Sequence, residues 1–428
     1  MAGRHRVVIV GGGFGGVAAA RALARVPVEI TLVDRTNHHL FQPLLYQVAT
    51  GILSEGAVAP ALRSMFRRQP NVRVLMAEVT DLELGSRTVR ARVSDGDPLA
   101  IGYDSLIVAA GSGDSYFGHR EWAAHAHGMK TVVDARRLRT SVLGAFEMAE
   151  ASQDPEERRA WQTIVVVGGG PTGVELSGQG AMLAWETLRR DYRAIDTTAT
   201  RIILVEHGPS LLAAFPEKLR ARAERDLRKM GVEVRTSTGA TAIDAEGVDV
   251  EGPDGRERIA ARTVIWAAGV RASPLAEALA GATGAELDRG GRVAVAPDCS
   301  LPGHPEVFAI GDMAALDDLP GVAQPAIQEG RHVARVIEAR LAGWSAPPPF
   351  KYFDKGSMAT IGRTRAVADA FGVQLAGRPA KWMWAFVHIA YLVGWGNRIG
   401  TMLRWLWTMA SRNRRERVIR VPPPADGS

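Results

Sequence analysis

Short apolar runs, each closed by a glycine cluster and followed by helical patterning, recur along the first two thirds of this chain. Val7-Val8-Ile9-Val10 is apolar at every position and too short for a helix, so it reads as a buried strand. Gly11-Gly12-Gly13-Phe14-Gly15-Gly16 follows as a tight turn, and Val17–Leu23 as a helix. The same order returns 157 residues later, with Ile164–Val167, Gly168-Gly169-Gly170-Pro171-Thr172-Gly173 and a helix from Val174. Each copy continues into a second apolar strand ending in an acid, Glu29–Asp34 and Arg201–Glu206. Each later reaches a strand closing on small residues, Leu106–Gly111 and Val264–Gly269. Continuous apolar strands alternating with helices predict an α/β fold of two Rossmann-like dinucleotide-binding domains. Residues 151–160 and 252–258 are polar and turn-rich and are expected as surface connections. Ala346-Pro347-Pro348-Pro349 marks a break before a different C-terminal region, and the tail Pro422–Ser428 is expected to be unstructured.

The pattern changes after that break. Trp382–Trp395 is almost wholly apolar but falls short of the roughly 20 residues a spanning helix needs. The next stretch places Thr401, Arg404, Thr408, Ser411, Arg412 and Arg415 on one helical face, and Met402, Leu403, Leu406, Trp407, Met409 and Ala410 on the other. Five of the ten tryptophans fall in this region: Trp382, Trp384, Trp395, Trp405 and Trp407. Interfacial tryptophans, an apolar face and arginines for anionic headgroups describe helices lying in a membrane surface. A dimer interface or a docking face for the core is the competing use of the same pattern.

Composition bounds this picture without redirecting it. With 428 residues, 46% hydrophobic and 23% charged, the chain has the length of two or three globular domains. Nine Lys or Arg lie between Arg378 and Arg420 against the single acid Glu416, so the net charge of +6 belongs to the C-terminus. A single cysteine, Cys299, excludes an internal disulfide and any redox pair of thiols within one chain, and it reads as a small packed residue. No apolar signal-peptide core precedes the first strand, and an intracellular location is expected.

The glycine spacing carries the chemistry. In G-x-G-x-x-G the first glycine makes the turn, the second admits a pyrophosphate, and the third packs helix on strand. Gly11, Gly13 and Gly16 fit this, as do Gly168, Gly170 and Gly173. One such motif is weak evidence; two, each with strand, helix and later acid, are specific. Asp34 lies 18 residues after Gly16, close to the spacing of about 20 for an acid on a ribose hydroxyl. Glu206 lies 33 after Gly173, a departure that a longer helix through Arg190 and a loop through Thr200 would absorb. An acid there repels a 2′-phosphate and favours NADH over NADPH, while His207 and Arg201 nearby leave NADPH open. Hydride exchange between nicotinamide and flavin needs no obligatory side-chain acid or base, so no catalytic triad is expected. Glu175, early in the second helix, is a candidate at the cofactor stack or simply an acid favouring a helix N-terminus. His38, His39 and His388 have no metal partners at ligand spacing, and no metal is expected.

These residues resemble the type II NADH dehydrogenases, single-chain flavoproteins that oxidise NADH with quinone and pump no protons. The resemblance runs from Val7 to Ile419. It rests on Phe41–Thr50, Ser115–His119, Gly170–Glu175, Phe308–Asp312, Ala323–Gln328 and Asp354–Gly362. It implies non-covalent FAD as cofactor and NADH as substrate. For FAD the implied residues are Gly11, Gly13, Phe14, Gly15, Gly16, Asp34, Arg35, Ala110, Gly111, Gly311, Asp312 and Gln324. For NADH they are Gly168, Gly170, Pro171, Thr172, Gly173, Glu175, Glu206 and Gly269. Gln324 and Gln328, which taken alone read as helix-surface residues, are implied on the quinone side, and Lys355 near the flavin. With Glu175 these form the catalytic set.

The expected domains are 1–115 and 298–345 for FAD, 116–297 for NADH, and 346–428 as a C-terminal region of amphipathic membrane-anchoring helices. The expected partners are NADH, a membrane quinone (menaquinone or ubiquinone), an anionic membrane surface met by residues 381–420, and a second copy in a homodimer, with no nucleic acid. The expected place is the cytoplasmic face of the cell membrane, peripherally bound. Gly396 stands where the family commonly carries a basic residue, which puts one headgroup or quinone-entry contact in doubt. Sulfide:quinone oxidoreductases and dithiol reductases need a cysteine pair and are excluded. A soluble NAD(P)H-dependent reductase of a ferredoxin or rubredoxin is the alternative, and it would not need such a C-terminus.

Overall fold

The computed structural model describes residues 4–93 and 96–419. Arg420 of the basic segment and the tail Pro422–Ser428 lie outside the described residues. The chain divides into two compact units. One comprises Met1–Leu40, Ala59–Gly113 and Val270–Asp354, the other Phe41–Val58, Asp114–Gly269 and Lys355–Ser428. These bounds differ from the expected ones. Residues 270–297 fold with the first unit because Ser273 donates its N–H to the Gly111 carbonyl, and Ala272, Ala276 and Leu279 share a core with Val8 and Val10. Residues 41–58 and everything from Lys355 onward belong to the second.

The first unit is built on a six-stranded sheet in the order Ser300–Leu301, His304–Ala309, Ser105–Val108, His5–Val10, Val28–Asp34, Val72–Met76. All neighbours are parallel except the first two. Both faces are covered, which explains the unbroken apolar runs. Val7 and Ile9 point into a core with Val17 of helix Phe14–Ala22 and Val333 and Ile337 of helix Ala323–Ala342. Val8 and Val10 point the other way, toward Leu82 and Val89 of a small antiparallel sheet. The two helices meet through small residues. A Cβ on Gly330 would lie 2.4 Å from the Gly15 carbonyl oxygen.

The second unit repeats the strand order. Its five parallel strands run Glu233–Arg235, Arg201–Val205, Thr163–Val167, Thr263–Trp266, Ala126–His127. Three connections depart from the sequence reading. Residues 155–161 form a helix, capped by the Asp154 side chain, which accepts the Glu156 N–H at 2.9 Å. Residues 252–258 are a hairpin: Pro253-Asp254 make the turn and the rest belong to the antiparallel strands Gly247–Gly252 and Gly255–Ala260. The helix after the second glycine turn stops at Met182 and passes through one π-turn, Leu183–Thr187, instead of continuing to Arg190. Trp185 ends it by donating to the Thr200 carbonyl at 3.1 Å.

The same unit carries the antiparallel strands Ser357–Ile361, Arg365–Ala370 and Val373–Gly377, then helices Arg378–Tyr391 and Trp395–Ser411. Among the described residues no helix is long and apolar enough to cross a membrane. The last helix has the expected amphipathy with its polar side turned inward. Thr401 is buried and Arg404 pairs with Glu416 at 2.8 Å, whereas Leu403 and Leu406 are 61% and 56% exposed. The basic segment is partly consumed by the fold. Arg414 is buried, Arg417 pairs with Asp191, and Arg398 donates to the Ala390 and Leu392 carbonyls at 2.8 Å each. Arg378, Arg412 and Arg415 remain exposed.

Gly330→Ala forces the two small-residue helices of the first unit apart and should lower stability by about 1–3 kcal/mol. Thermal or denaturant unfolding checks this; an unchanged midpoint would show that the pair relaxes freely.

Candidate functional site

In the first unit the glycine turn is shaped by close approaches that no side chain would survive. Gly11 has φ +107°, and its Cβ would meet the Ala109 carbonyl oxygen at 2.3 Å; a Cβ on Gly16 would lie 1.9 Å from the Gly11 oxygen. Nothing lies within 4 Å of where a Gly13 Cβ would point. That open backbone at a helix N-terminus is the space a pyrophosphate requires. Asp34 is held beside it, one carboxylate oxygen accepting the Gly12 N–H at 2.6 Å and the other the Thr36 N–H at 2.6 Å and hydroxyl at 2.7 Å. Arg35 is exposed next to it.

Gly15, Ile310 and Ala326 crowd together: a Gly15 Cβ would touch the Ile310 side chain at 3.0 Å and the Ala326 oxygen at 3.2 Å. This brings Gly311-Asp312 and the start of helix Ala323–Ala342 to the turn. Asp312 accepts the Ser112 hydroxyl at 2.8 Å, beside Gly111, and the Ala110 N–H meets the Met313 sulfur at 3.3 Å. The Gln324 side-chain oxygen is buried with no hydrogen-bond partner, an unmet acceptor at the head of that helix. Gln328, one turn on, is engaged at both ends of its amide, donating to the Phe353 carbonyl at 2.9 Å and accepting the Phe353 N–H at 3.0 Å. The two glutamines are therefore not equivalent. Sequence reasoning missed Glu329, whose buried carboxyl accepts the Gly311 N–H at 2.6 Å; burial pushes it up to about 7, with Asp312 adding to the shift. It also missed the buried His39, whose Nδ1 bonds the Gly12 carbonyl at 2.9 Å and whose ring stands edge-on to Phe14 at 5.0 Å.

The second turn repeats the design. Gly168 has φ +112° and would meet the Ala267 backbone at 2.5 Å, Gly173 would meet the Gly168 oxygen at 1.8 Å, and Gly170 faces open space. Pro171 occupies the first helical position, with Thr172 exposed after it. Glu206 accepts the Gly169 N–H at 2.5 Å through one oxygen and the Gly208 N–H at 2.6 Å through the other. A Cβ on Gly269 would strike Phe117 at 2.6 Å and the Ser115 oxygen at 2.8 Å, beneath an aromatic group in which Tyr116 stacks on Trp266 at 5.1 Å.

Next to this turn lies a buried polar cluster that the sequence hinted at only through Glu175. Burial pushes the Glu175 carboxyl up to about 8, opposed by the Thr360 N–H at 3.2 Å and by Lys381. The Lys381 ammonium stands 4.3 Å over the Trp384 ring, and burial pushes it down to about 8 while Glu175 acts the other way. His388 bonds the Trp384 carbonyl at 2.7 Å and is pushed down to about 4 by burial, so it is neutral at physiological pH. Arg414 donates to the Thr50 carbonyl at 2.7 Å and to the carbonyl and side-chain oxygens of Gln179 at 2.9 and 3.0 Å. Tyr46 and Gln47, from the stretch Phe41–Thr50, complete the cluster. Lys355 donates to the Tyr391 hydroxyl at 2.8 Å. Among the described residues no group of His, Cys, Asp or Glu could hold a metal ion.

Two Rossmann-like units, each with an open glycine cradle and a fixed acid, define a two-dinucleotide oxidoreductase. The family model for pyridine nucleotide-disulphide oxidoreductases matches residues 5–330. The chain is 50% identical over 414 residues to the type II NADH:quinone oxidoreductase Ndh of Mycobacterium tuberculosis, covering 96% of this chain and 89% of that protein. It is 49% identical to NdhA of the same organism, covering 97% and 90%. The chain belongs to the type II NADH:quinone oxidoreductases. Its fold matches the structure of NDH2 from Plasmodium falciparum in complex with NADH at a TM-score of 0.88 and 20% identity, over 95% of this chain and 99% of that one. A sulfide:quinone oxidoreductase from Aquifex aeolicus shares the fold at a TM-score of 0.72 and 16% identity, over 95% of each chain. The lone Cys299, buried and pushed far up by that burial, separates this chain from cysteine-pair chemistry.

The raised Glu175 carboxyl has a consequence for stability. An acid whose folded pKa is raised binds a proton more tightly folded than unfolded, so its contribution is complete below its ordinary value near 4.5 and lost as pH climbs through about 8. Relative to Glu175→Gln, the wild type should lose stability across that window, measured by denaturant melts at several pH values. Parallel curves would show that the carboxyl is not protonated in the fold.

Proposed function

We propose that the first unit holds FAD, that the second holds NADH and carries the membrane-binding helices, and that the enzyme passes two electrons from NADH to a membrane quinone. The observation that carries the cofactor reading is the open backbone at Gly13 and Gly170, each with its acid fixed by backbone N–H groups. The unmet Gln324 acceptor fits a bound flavin beside it. FAD, when bound, supplies the two-electron carrier between NADH and quinone.

The protein residues bind, orient and hold protons. Asp34 and Glu206, with both carboxylate oxygens already fixed by backbone donors, are rigid acceptors for ribose hydroxyls. Glu206 places negative charge where a 2′-phosphate would sit, which favours NADH. Reducing a quinone with NADH consumes one proton beyond the hydride, and Glu175 is the proposed acid–base group for it, because its carboxyl and the Lys381 ammonium are both brought near neutrality. Gln324 is the preferred quinone-side group; Gln328 would first have to release Phe353. Lys355 acts through Tyr391 in this reading.

The outer faces of the last two helices support peripheral attachment. Trp382, Phe386 and Trp395 are 67%, 75% and 75% exposed, Leu403 and Leu406 are exposed as well, and Arg415 lies over Trp407 at 4.8 Å. Apolar and aromatic residues edged by Arg378, Arg412 and Arg415 suit an anionic lipid surface, at the cytoplasmic face. A homodimer is proposed on the expectation from sequence alone.

Anaerobic addition of NADH should bleach the flavin absorbance, and a water-soluble quinone should restore it; bleaching without recovery would overturn the quinone assignment. Glu206→Gln should raise KM for NADH about tenfold with kcat nearly unchanged, the mark of lost uniform binding. An unchanged KM would remove Glu206 from the ribose. Paired Leu403→Glu and Leu406→Glu substitutions should abolish co-sedimentation with anionic vesicles while leaving NADH bleaching intact.

A further inference from the structure

In the second unit one aromatic side chain stands where the backbone resists it. Phe117 has φ +50°, a left-handed conformation that suits glycine and strains a bulky side chain. The ring gains little burial in exchange. Phe117 is 66% exposed, while Trp122 and Trp266 of the same aromatic group are buried. The segment is nevertheless pinned. The Phe117 N–H donates to the Ser115 hydroxyl at 3.4 Å, the Ser115 N–H to the Gly269 carbonyl at 3.1 Å, and the Trp266 indole N–H to the Ser115 carbonyl at 2.8 Å. The ring lies against the backbone of Gly269, where a Cβ would come within 2.6 Å of it, and meets Trp266 at 6.1 Å between centroids.

The shared fold does not require this arrangement. In the first unit Gly111 likewise follows the strand beside the glycine turn, and nothing lies within 4 Å of where its Cβ would point. The roof over Gly269 is therefore particular to the second unit, as is the ligand proposed for it.

The sheet says which part of that ligand reaches Gly269. Strand Thr163–Val167, which leads into the second glycine turn, has Arg201–Val205 on one side and Thr263–Trp266 on the other. The strand order reverses there, at the kind of crevice in which α/β sheets bind dinucleotides. A pyrophosphate is the middle of a dinucleotide, so with it on the turn the two nucleosides extend to opposite sides. Glu206, following Arg201–Val205, marks the adenosine side. The nicotinamide half then crosses the end of Thr263–Trp266, where a Gly168 Cβ would lie 2.7 Å from the Ala268 Cα. Gly269 comes next, with the Phe117 ring upon it.

We propose that Phe117 is a substrate-contact residue for the nicotinamide half of NADH, its exposed ring being the surface on which that half packs. The proposal rests on the reading of the second unit as the NADH site and adds a determinant of which end of the dinucleotide is recognised there. A ring kept in strained backbone and left open to solvent is accounted for by a contact made only when the ligand is bound.

The test is calorimetric binding of NAD⁺, and of ADP-ribose, which lacks the nicotinamide, to the flavin-loaded full-length protein. Phe117→Asn removes the ring and tolerates the left-handed backbone, so its unfolding midpoint should not fall. It should weaken NAD⁺ about three- to tenfold, the worth of one aromatic contact, and leave ADP-ribose unchanged. Phe117→Tyr keeps the ring and should bind both as the wild type does. An unmoved NAD⁺ affinity in Phe117→Asn, an equal loss for ADP-ribose, or a lowered unfolding midpoint would overturn the proposal. Gly170→Ala tests the reading beneath it, because a Cβ there meets nothing of the protein within 4 Å yet occupies the pyrophosphate space. Both ligands should weaken. If neither does, the second unit is not the NADH site and the role of Phe117 falls with it; if both do while Phe117→Asn changes neither, the role of Phe117 alone falls.

Discussion

The structure depends first on two missing methyl groups. At Gly16 and again at Gly173 a Cβ would lie under 2 Å from the carbonyl oxygen of the glycine five residues before it. Only their absence lets each helix start directly over the end of its strand. From that closure follow the open backbone at Gly13 and Gly170, the short reach from the second strand to the turn, and the fixing of Asp34 and Glu206 by the N–H groups of Gly12 and Gly169. The acids are thus part of the turn itself. In the ribose-binding role proposed for them, their orientation is set beforehand, which reduces the ordering that binding must impose.

A second constraint comes from burying ionisable groups without close partners of opposite charge. Glu175 and Arg414 are buried and Lys381, half-buried, acts on Glu175; no ion pair within 4 Å joins them among the described residues. Burial of unpaired charge is met by neutralisation and by dense neutral hydrogen bonding. The carboxyl is raised, the ammonium lowered, and the guanidinium of Arg414 spread over three oxygens from Thr50 and Gln179. Such a region stores a readily displaced proton where a wholly apolar core would store none.

What could be read in the sequence follows from how local the signal is. Strand, turn, helix and terminal acid lie within 28 residues in the first unit (Val7–Asp34) and 43 in the second (Ile164–Glu206), so both glycine units, the parallel sheets and the amphipathic last helix were legible from pattern and spacing. The family to which the chain belongs was legible from the motifs between them. The antiparallel sheets after each unit were not, because largely exposed strands such as Gly255–Ala260 carry as many charges as a loop. The cluster around Glu175 was hidden for another reason. Tyr46, Gln47, Thr360, Lys381 and Arg414 come from segments more than 300 residues apart in the extreme case, and no spacing rule links them. Arg414 in particular is indistinguishable in sequence from its exposed neighbour Arg415. Gln324 and Gln328 share a motif and a helix face, yet only the position of Phe353 separates the unmet amide from the occupied one.

The last helix reverses the usual assignment of sides, with Thr401 and Arg404 turned inward and Leu403, Leu406 and Trp407 outward. For such an element the ordinary guide to engineering fails. A screen for soluble yield or heat tolerance in detergent-free lysate would reward polar replacements on the outer side, since they remove a sticky apolar surface without touching any packed contact. The winners would be well-behaved proteins that had discarded the apolar outer side of this 17-residue helix. On the peripheral attachment proposed above, directed evolution of this chain has to be scored in the presence of lipid.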